Sequence, residues 1–556
     1  MTLRPLVALL AGVVVLAFPN AALADQLIEN VDGIRIDENG EVDRFTALHI
    51  GDDGRIIAVL DRRDDRPERV DYLLDAEGAV MLPGMIDAHL HVMDYGFSRM
   101  TLDLSETRSL EEALEAIRTF AQENPARPWI LGRGWNQEVW GLGRFPTAME
   151  LDAVVSDRPV WLQRADNHAA WGNSLALSAA EITADTQDPE GGRIERLPGS
   201  RIPSGVFVDE AEKLVGRVVP APRPAERDLA LMEAQKGLHE VGITAAADMG
   251  TTIEDWQAFR RAGDRGTLTL RIMSYAAGAD AMTLIGGSGP SPWLYEDKLR
   301  LNGVKLYLDG ALGSRGAWLK QPYADDPGNT GLPLMGSATL RNILVRAAQG
   351  GFQSAIHAIG TAANADALNA VHEVADSYSG DLRWRIEHAQ IVDPADIPLF
   401  GEHGIIASFQ PVHQTSDRLM AEARLGPDRL DGAYAWASVA RTGARLAFGS
   451  DAPVERPDPF VGIAAAVTRT DVAGQPFGGW RAEEVVNREQ ALRSFTSEAA
   501  YAGFAEGRFG RLVEGERADF ILVDRDPLLV PPAEMRETRI LETWVGGRRV
   551  FAEKAR

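Results

Sequence analysis

The chain has 556 residues, 45% of them hydrophobic and 25% charged, a composition that excludes a disordered protein and, at this length, predicts several domains or one large barrel with additions. With 81 acidic and 57 basic residues its formal net charge is -24, which disfavours nucleic acids and anionic membranes as partners. The chain has no cysteine, which excludes disulfides and thiol catalysis, so any metal must be held by His, Asp, Glu or a modified Lys.

The first 24 residues have the pattern of a secretory signal peptide. Arg4 gives a positive start, and the apolar run from Leu6 to Phe18 is short for a membrane span. Ala22 and Ala24 supply the small residues that precede a cleavage site. The alternative is a membrane anchor that is never cleaved. The pattern predicts an exported protein, periplasmic or secreted, with no stable membrane insertion after cleavage.

Strand patterns occur at both ends of the remaining chain. Phe45–Ile50 and Arg55–Leu60 flank an Asp-Asp-Gly turn, which is a hairpin signal. Near the C-terminus, Asp519–Val523 has the pattern of a strand, and a second hairpin surrounds Gly546-Gly547. We therefore predict a composite β-sandwich domain built from residues 25–82 and 505–556.

Between these ends, apolar strands alternate with helical stretches, as in parallel α/β proteins. Eight candidate strands can be counted: Gly84–His89, Gly242–Asp248, Leu268–Tyr275, Gly303–Leu308, Gln353–His357, Arg383–His388, Gly404–Phe409 and Arg445–Gly449. Eight is the number that a (β/α)8 TIM barrel requires, and we assign it to residues 83–504. A doubly wound open sheet is the alternative, but it needs a Gly-rich phosphate turn after its first strand, and none is present there.

An unusually long segment follows the first predicted barrel strand. Residues 125–224 are rich in Gly, Pro and aromatic residues and hold five of the 12 tryptophans, which predicts an inserted subdomain rather than a loop. Because it leaves the carboxyl end of a barrel strand, the insertion should overhang the active-site face. The alternative is a self-contained knob. Its aromatic content suggests a substrate of apolar or aromatic character.

Polar side chains end several of the predicted barrel strands. His89 and His91 are two residues apart, so on an extended segment they face the same way and can reach one metal ion. His357, His388 and Asp451 occupy the same position on later strands. Taken singly, each of these side chains is better explained as a hydrogen-bonded core residue. Together they lie at the same end of the predicted barrel, and this convergence predicts metal binding.

Lys305 lies within an apolar strand, where a charged amine is costly. One interpretation is a salt bridge to Asp309 or another carboxylate. The other is a carbamate formed with CO₂, whose two oxygens and negative charge can bridge two cations. The residues themselves leave both open.

The motifs that carry these residues resemble the amidohydrolase superfamily. P-G-M-I-D-A-H-L-H, V-K-L-Y-L-D-G-A-L-G-S-R-G-A, A-I-H-A-I-G, R-I-E-H-A-Q and F-G-S-D-A-P-V-E occur in the expected order, followed by G-R-L-V-E-G-E-R-A-D-F-I-L-V-D-R-D-P. Within the superfamily the chain resembles the Amidohydro_3 branch of YtcJ-like and N-substituted formamide deformylase-like metal-dependent hydrolases. The resemblance covers essentially the whole chain after the signal peptide.

The resemblance implies a ligand set for two metals. His89, His91 and Asp451 would bind the first, His357 and His388 the second, and carbamylated Lys305 would bridge them. The metals would be two Zn²⁺, with iron, manganese, cobalt or a single-metal site as alternatives.

The implied reaction is hydrolysis of a C–N bond, in an amide or N-formyl amide, through a metal-bound hydroxide. Asp451 would also move the proton as the catalytic base, and Trp135 and His168 would bind the substrate. For Trp135 the alternative is packing, and for His168 a structural hydrogen bond.

Other functions remain open at this stage. The same site could act as an esterase, lactonase or deaminase, and the chain could instead be a catalytically inactive periplasmic binding protein. The expected partner is a small amide-type molecule, with a homo-oligomer left open. The sequence places His239, His372 and His403 at surface or capping positions and leaves His413 unassigned.

Overall fold

The computed structural model describes residues 25–37, 39–375, 377–378 and 380–554. The predicted signal peptide lies outside these residues. Within the described chain, three sheets organise the fold: one assembled from both chain ends, one parallel barrel, and one inserted into the barrel.

The described strands follow the chain from the N-terminal sheet to the barrel, the insertion, the barrel again and the C-terminus. The N-terminal strands are β1 (Gln26–Ile36), β2 (Val42–Ile50), β3 (Ile56–Leu60), β4 (Tyr72–Asp75) and β5 (Val80–Pro83). The first barrel strand is β6 (Met85–Leu90). The inserted strands are β7 (Leu102–Asp103), β8 (Ile130–Trp135), β9 (Val160–Arg164), β10 (Ala169–Gly172), β11 (Gly192–Arg196) and β12 (Pro203–Asp209). The barrel continues with β13 (Ile243–Thr251), β14 (Arg271–Ala277), β15 (Leu299–Tyr307), β16 (Gln353–Ala358), β17 (Arg385–His388), β18 (Ile406–Phe409) and β19 (Leu446–Phe448). The last strands are β20 (Phe520–Val523), β21 (Ile540–Val545) and β22 (Arg548–Ala552).

The α-helices lie mainly between the barrel strands and in the insertion. They are α1 (Val92–Ser98), α2 (Leu110–Glu123), α3 (Ala148–Asp152), α4 (Ser174–Ala179), α5 (Lys213–Gly216), α6 (Pro224–Glu240), α7 (Ile253–Asp264), α8 (Gly278–Gly286), α9 (Ser337–Gly350), α10 (Thr361–Ala375), α11 (Pro398–Glu402), α12 (Pro411–Leu425), α13 (Trp436–Arg441), α14 (Pro459–Thr468), α15 (Arg488–Ser494), α16 (Ser497–Ala502) and α17 (Pro532–Met535). In the described part of the chain, none of them combines the length and the apolar character that a membrane crossing requires.

Strands from both ends of the chain form a single eight-stranded sheet. Its order is β22-β21-β20-β5-β1-β2-β3, with β4 paired to β1. Both predicted hairpins are present as antiparallel pairs, β2 with β3 and β21 with β22. Phe520 and Trp544 stack in its core with ring centroids 5.2 Å apart. Because β20 pairs with β5, this sheet joins strands from both ends of the chain.

The central sheet is the predicted parallel barrel. Its order, β19-β18-β17-β16-β15-β14-β13-β6, follows the chain, and all eight predicted strands are found. The backbone N–H of Asp451 donates to the carbonyl of His89 at 2.7 Å, which joins the segment after the last strand to the first strand. The open doubly wound sheet is therefore excluded, and the TIM barrel is confirmed. Its strands deliver their last residues to one end of the barrel.

The segment after β6 forms a six-stranded sheet with its own apolar core. The order is β11-β12-β10-β9-β8-β7, and the core contains Trp135, Leu151 and Trp171. The predicted helical stretch is α2. Strand β7 begins at Leu102, so the inserted sheet takes in residues before 125, where the sequence placed its start.

Candidate metal centre

The four predicted histidine ligands meet at the carboxyl end of the barrel. The ring centroids of His89 and His91 are 5.7 Å apart, those of His89 and His388 are 4.6 Å apart, and those of His388 and His357 are 4.5 Å apart. The first of the strands that carry them is separated from the others by hundreds of residues along the chain, and only the barrel brings them together. The rings form one continuous cluster.

Asp451 and Lys305 complete the cluster. Oδ1 of Asp451 lies 3.2 Å from Nε2 of His91 and 3.4 Å from Nε2 of His89. Nζ of Lys305 lies 3.2 Å from Nε2 of His89. All six residues that the sequence predicted as ligands therefore lie in one group.

The structure gives Lys305 no salt bridge to Asp309. Lys305 is 1% exposed, and it has no carboxylate within ion-pair distance among the described residues. Asp309 instead accepts hydrogen bonds from the backbone N–H groups of Trp318, Ile359 and Gly360 at 2.8, 3.0 and 2.8 Å. The alternative interpretation of Lys305 as the partner of Asp309 is therefore wrong, since Asp309 fixes the loops around the end of β16.

The ionisation of His89, His357 and His388 suits cation binding, whereas for His91, although burial opposes the charged form, the carboxylate of Asp451 raises the pKa. Burial lowers the pKa of His89 to about 4 and the pKa values of His357 and His388 well below their ordinary value, so these imidazoles are neutral and keep a lone pair. Burial also lowers the pKa of Lys305 to about 8, which makes the neutral amine, the form that reacts with CO₂, more accessible.

Among the described residues, two buried atoms of the cluster find no hydrogen-bond partner: Nε2 of His357 and Oδ1 of Asp451. Such orphaned polar atoms are costly unless something else satisfies them. Imidazole nitrogens and carboxylate oxygens are the donors that Zn²⁺ and similar divalent cations take in proteins. The residues present therefore fit a divalent metal.

Glu387 and Arg385 hold His89 from behind, and the sequence did not single them out. Nδ1 of His89 donates to Oε2 of Glu387 at 2.6 Å, and Nε of Arg385 donates to Oε1 of Glu387 at 2.8 Å. Although burial opposes its ionisation, the charge of Arg385 lowers the pKa of Glu387 to about 2. The carboxylate fixes the tautomer of His89 and leaves Nε2 directed at the centre.

The spacing along β17 was the signal for this support. Arg385 and Glu387 are two residues apart, so both face the barrel interior. His388 would face away if the strand continued, but its φ of 72° ends the extended conformation. The left-handed backbone turns its side chain to the cluster, and strained backbone of this kind is characteristic of functional sites.

The segment that carries Asp451 is held by Asp87 on the first strand, through the preceding residue. Asp87 accepts hydrogen bonds from the backbone N–H and the hydroxyl of Ser450 at 3.1 and 2.6 Å. Gly449 lets the two segments approach, because a Cβ there would lie 2.5 Å from Oδ1 of Asp87 and from the backbone nitrogen of His89. Asp451 itself has a φ of 59°. The neighbouring segments therefore hold the carboxylate in place, in a backbone conformation that a non-glycine residue rarely adopts.

His413 also reaches the centre, although the sequence left it unassigned. It lies in the first turn of α12, and its Nε2 is 3.9 Å from Oδ2 of Asp451. In the described part of the chain this nitrogen has no hydrogen-bond partner. Gln390 holds its Nδ1 at 3.1 Å, and its ring stacks on that of His388. His388, His413 and Asp451 thus form a second group with metal-ligand spacing, beside His89, His91 and Asp451.

The insertion contributes His168 to the same place. Its ring lies 5.3 Å from that of His357, and its Nδ1 donates to Oδ1 of Asp209 at 2.7 Å. Burial disfavours the charged ring, but the hydrogen bond and the charge of Asp209 raise the pKa of His168 to about 9. This cationic donor lies where the sequence predicted a substrate contact.

Trp135 does not lie where a substrate could touch it. It is 0% exposed, and its Nε1 donates to the carbonyl of Leu162 at 2.8 Å. Its ring packs edge-on against Trp171 and Phe145. The predicted substrate contact is therefore corrected to a packing role, because the core of the inserted sheet uses the whole ring. With these tryptophans turned inward, the aromatic content no longer indicates an apolar substrate.

We expect Trp135→Ala to lower the free energy of unfolding by about 3–5 kcal/mol, because it leaves a large cavity in a dry core. Urea unfolding measures this loss. Trp129→Ala, at a half-buried position of the same insertion, is the matched control and should cost less. If Trp135→Ala leaves the free energy of unfolding unchanged and weakens substrate binding, Trp135 contacts the substrate and the packing role is wrong.

The remaining histidines that the sequence placed on the surface divide into two groups. His239 is 3% exposed and its ring nitrogens contact the carbonyl of Ile243 and the hydroxyl of Thr269, both at 3.0 Å, so its surface assignment is wrong. Helix α6 buries that face against the barrel. His372 is exposed and His403 caps α11, as predicted.

Comparisons with known proteins agree with this geometry. A family model described as "Amidohydrolase family" matches residues 73–551. YtcJ of Bacillus subtilis, which is named as a putative amidohydrolase, is 32% identical over 526 residues, covering 92% of this chain and 97% of YtcJ. N-substituted formamide deformylase of Arthrobacter pascens is 28% identical over 496 residues, covering 85% of this chain and 89% of that enzyme. An uncharacterised metal-dependent hydrolase from Pyrococcus horikoshii superposes with a TM-score of 0.73 at 25% identity, covering 91% of this chain and 99% of that chain.

Proposed function

The chain belongs to the amidohydrolase family of metal-dependent hydrolases, and on that basis we propose that it hydrolyses the C–N bond of an amide or N-formyl amide. One relative is named for the deformylation of N-substituted formamides, a reaction of this class. The single observation that carries the proposal is the meeting of six metal-ligand side chains at the mouth of the barrel.

We assign the ligands to two cations. His89, His91 and Asp451 would hold one, and His357 and His388 the other, with Lys305 as a carbamate between them. Imidazoles, a carboxylate and a carbamate suit Zn²⁺. Metals held there would polarise the substrate carbonyl and lower the pKa of water.

The chain's own groups would move the protons. One carboxylate oxygen of Asp451 would bind the metal, and the other would accept the proton of the attacking water and return it to the leaving nitrogen. His168, held by Asp209, donates a hydrogen bond to the carbonyl oxygen as negative charge develops on it. Since His168 arrives from the insertion, substrate binding and catalysis would both depend on that subdomain.

We expect Glu387→Gln to weaken metal affinity by about 10- to 100-fold, because an uncharged amide no longer holds Nδ1–H of His89 as strongly. Titration of the metal-free protein with Zn²⁺ measures the change. Glu484→Gln is the control, since Glu484 is also buried but bonds to Ser438, away from the centre. Equal affinities in the two variants would contradict the assigned role.

Kinetics on matched substrates test the proposed reaction. The Zn²⁺-reconstituted protein is assayed with N-formyl amides, amides, esters and lactones that share one carbon skeleton, and with amino-substituted heterocycles for deamination. Higher kcat/KM on the amide members supports the proposal. Preference for esters, lactones or deamination assigns the site to that chemistry instead. A metal-loaded protein inactive on every class would favour a binding protein.

We also propose that the protein is exported. The support is the N-terminal sequence pattern: a positive start, a short apolar run and small residues before Asp25. N-terminal sequencing of the protein from its native cells is the test. A mature protein that begins at Asp25 and is recovered outside the cytoplasm agrees with export, and an intact N-terminus at Met1 contradicts cleavage.

A further inference from the structure

A second group of metal-ligand side chains lies on the outside of the barrel, on helices that surround it. His372 is in the last turn of α10, Glu402 is the last residue of α11, and His403 caps α11. One ligand atom of each lies within 4.8 Å of the others. None of these three residues contacts the catalytic centre.

The two imidazoles are already close to the spacing that a cation requires. Nδ1 of His372 lies 2.9 Å from Nε2 of His403, and the ring centroids are 4.8 Å apart. Two nitrogens on a tetrahedral Zn²⁺ are about 3.3 Å apart, so the rings would need to separate by only a few tenths of an ångström. In the absence of a cation, one ring must donate its N–H to the other.

The surroundings favour a cation over a simple histidine pair. Glu402 places a carboxylate beside the two rings, and the chain as a whole has a net charge of -24. The neighbouring Glu373 does not compete for this position, because Arg341 binds it with Nη2 to Oε1 at 2.9 Å. The three ligands lie on the ends of two packed helices, so little chain entropy is lost when they bind.

We propose that His372, Glu402 and His403 form an accessory site for a divalent transition metal such as Zn²⁺ or Ni²⁺, which links α10 to α11. Two imidazoles and one carboxylate suit these borderline metals better than Mg²⁺ or Ca²⁺, which prefer all-oxygen sites. Because the ligands are solvent-exposed or half-buried, water completes the coordination. The site adds stability to the outer helices and takes no part in turnover.

Metal stoichiometry tests the proposal. The full-length wild type, the double variant H372A/H403A and the control variant H49A are dialysed against the same micromolar free Zn²⁺ and analysed for bound metal. His49 is a suitable control because it also contacts a carboxylate, that of Asp25, at 2.6 Å, but has no second imidazole nearby. We expect the wild type and H49A to bind one more equivalent than H372A/H403A, with kcat unchanged in all three.

Equal stoichiometry in wild type and H372A/H403A overturns the accessory site. A loss of the same size in H49A also overturns it, since it would show general binding to an acidic surface. Should the double variant fail to fold, E402Q and zinc-edge anomalous diffraction of the wild type replace it, and the absence of a peak between α10 and α11 overturns the proposal. None of these outcomes affects the catalytic centre, whose ligands remain intact in every variant.

Discussion

Asp451→Asn is expected to lower kcat/KM by about 10³-fold or more while leaving the protein folded. The amide loses both the charge that binds a cation and the ability to accept a proton, so one substitution removes two functions. Its shape is nearly that of the carboxylate, and the backbone N–H of residue 451 still bonds to His89. Steady-state kinetics on the metal-reconstituted variant measure the loss, and circular dichroism checks the fold.

Asp458→Asn is the matched control. Asp458 follows the same strand and accepts the backbone N–H groups of Phe460 and Val461 at the start of α14. Asparagine caps a helix about as well as aspartate, so this variant should keep its activity. Turnover in Asp451→Asn within a few-fold of the wild type would remove Asp451 from the mechanism.

Lys305→Ala is expected to reduce bound metal by at least one equivalent and to lower kcat/KM by about 10³-fold. The reason is that Lys305, whose Nζ is 3.2 Å from Nε2 of His89, would carry the carbamate that bridges the two cations, and alanine offers no ligand in its place. Short carboxylic acids such as formate or acetate should restore part of the activity, because they can occupy the space of the missing carbamate.

Lys298→Ala serves as the control for Lys305→Ala. Lys298 lies just before β15, the strand that contains Lys305, at the end of the barrel opposite the metal ligands. Its side chain is largely buried. Its removal should leave the metal content unchanged. Full metal content and activity in Lys305→Ala would exclude the bridging role, whereas loss without rescue by carboxylic acids would favour a direct electrostatic role of the amine.

The sequence predicted the architecture and the convergence of the candidate ligands because both follow from where the strands end. Parallel strands end at one rim of a barrel, so a polar residue at the end of each of several apolar strands implies one site. This logic located His89, His357, His388 and Asp451 without knowledge of any contact. The same reasoning singled out Lys305, because a charged amine within an apolar strand is costly unless it has a partner or a modification.

The parts that the sequence could not predict depend on tertiary contacts. His413 follows the seventh predicted strand at the rim, but it lies in the first turn of a helix, so only the packing of that helix shows that it reaches Asp451. For Trp135 the resemblance implies a substrate contact and packing is the alternative, since aromatic residues serve both. In the folded protein the ring of Trp135 packs inside the inserted sheet and its Nε1 donates to a backbone carbonyl there, so its role is packing. The two-residue spacing of Arg385 and Glu387 indicates a shared face, but the hydrogen bond from His89 to Glu387 follows only from the folded structure.

Zinc-edge anomalous diffraction from crystals of the Zn²⁺-loaded protein tests the central claim most directly. We predict two peaks at the carboxyl end of the barrel, one bound by His89, His91 and Asp451 and one by His357 and His388, with continuous density from Nζ of Lys305 between them. An absence of anomalous density among these six side chains, in crystals grown at saturating Zn²⁺, would contradict the metal centre and the hydrolase mechanism built on it.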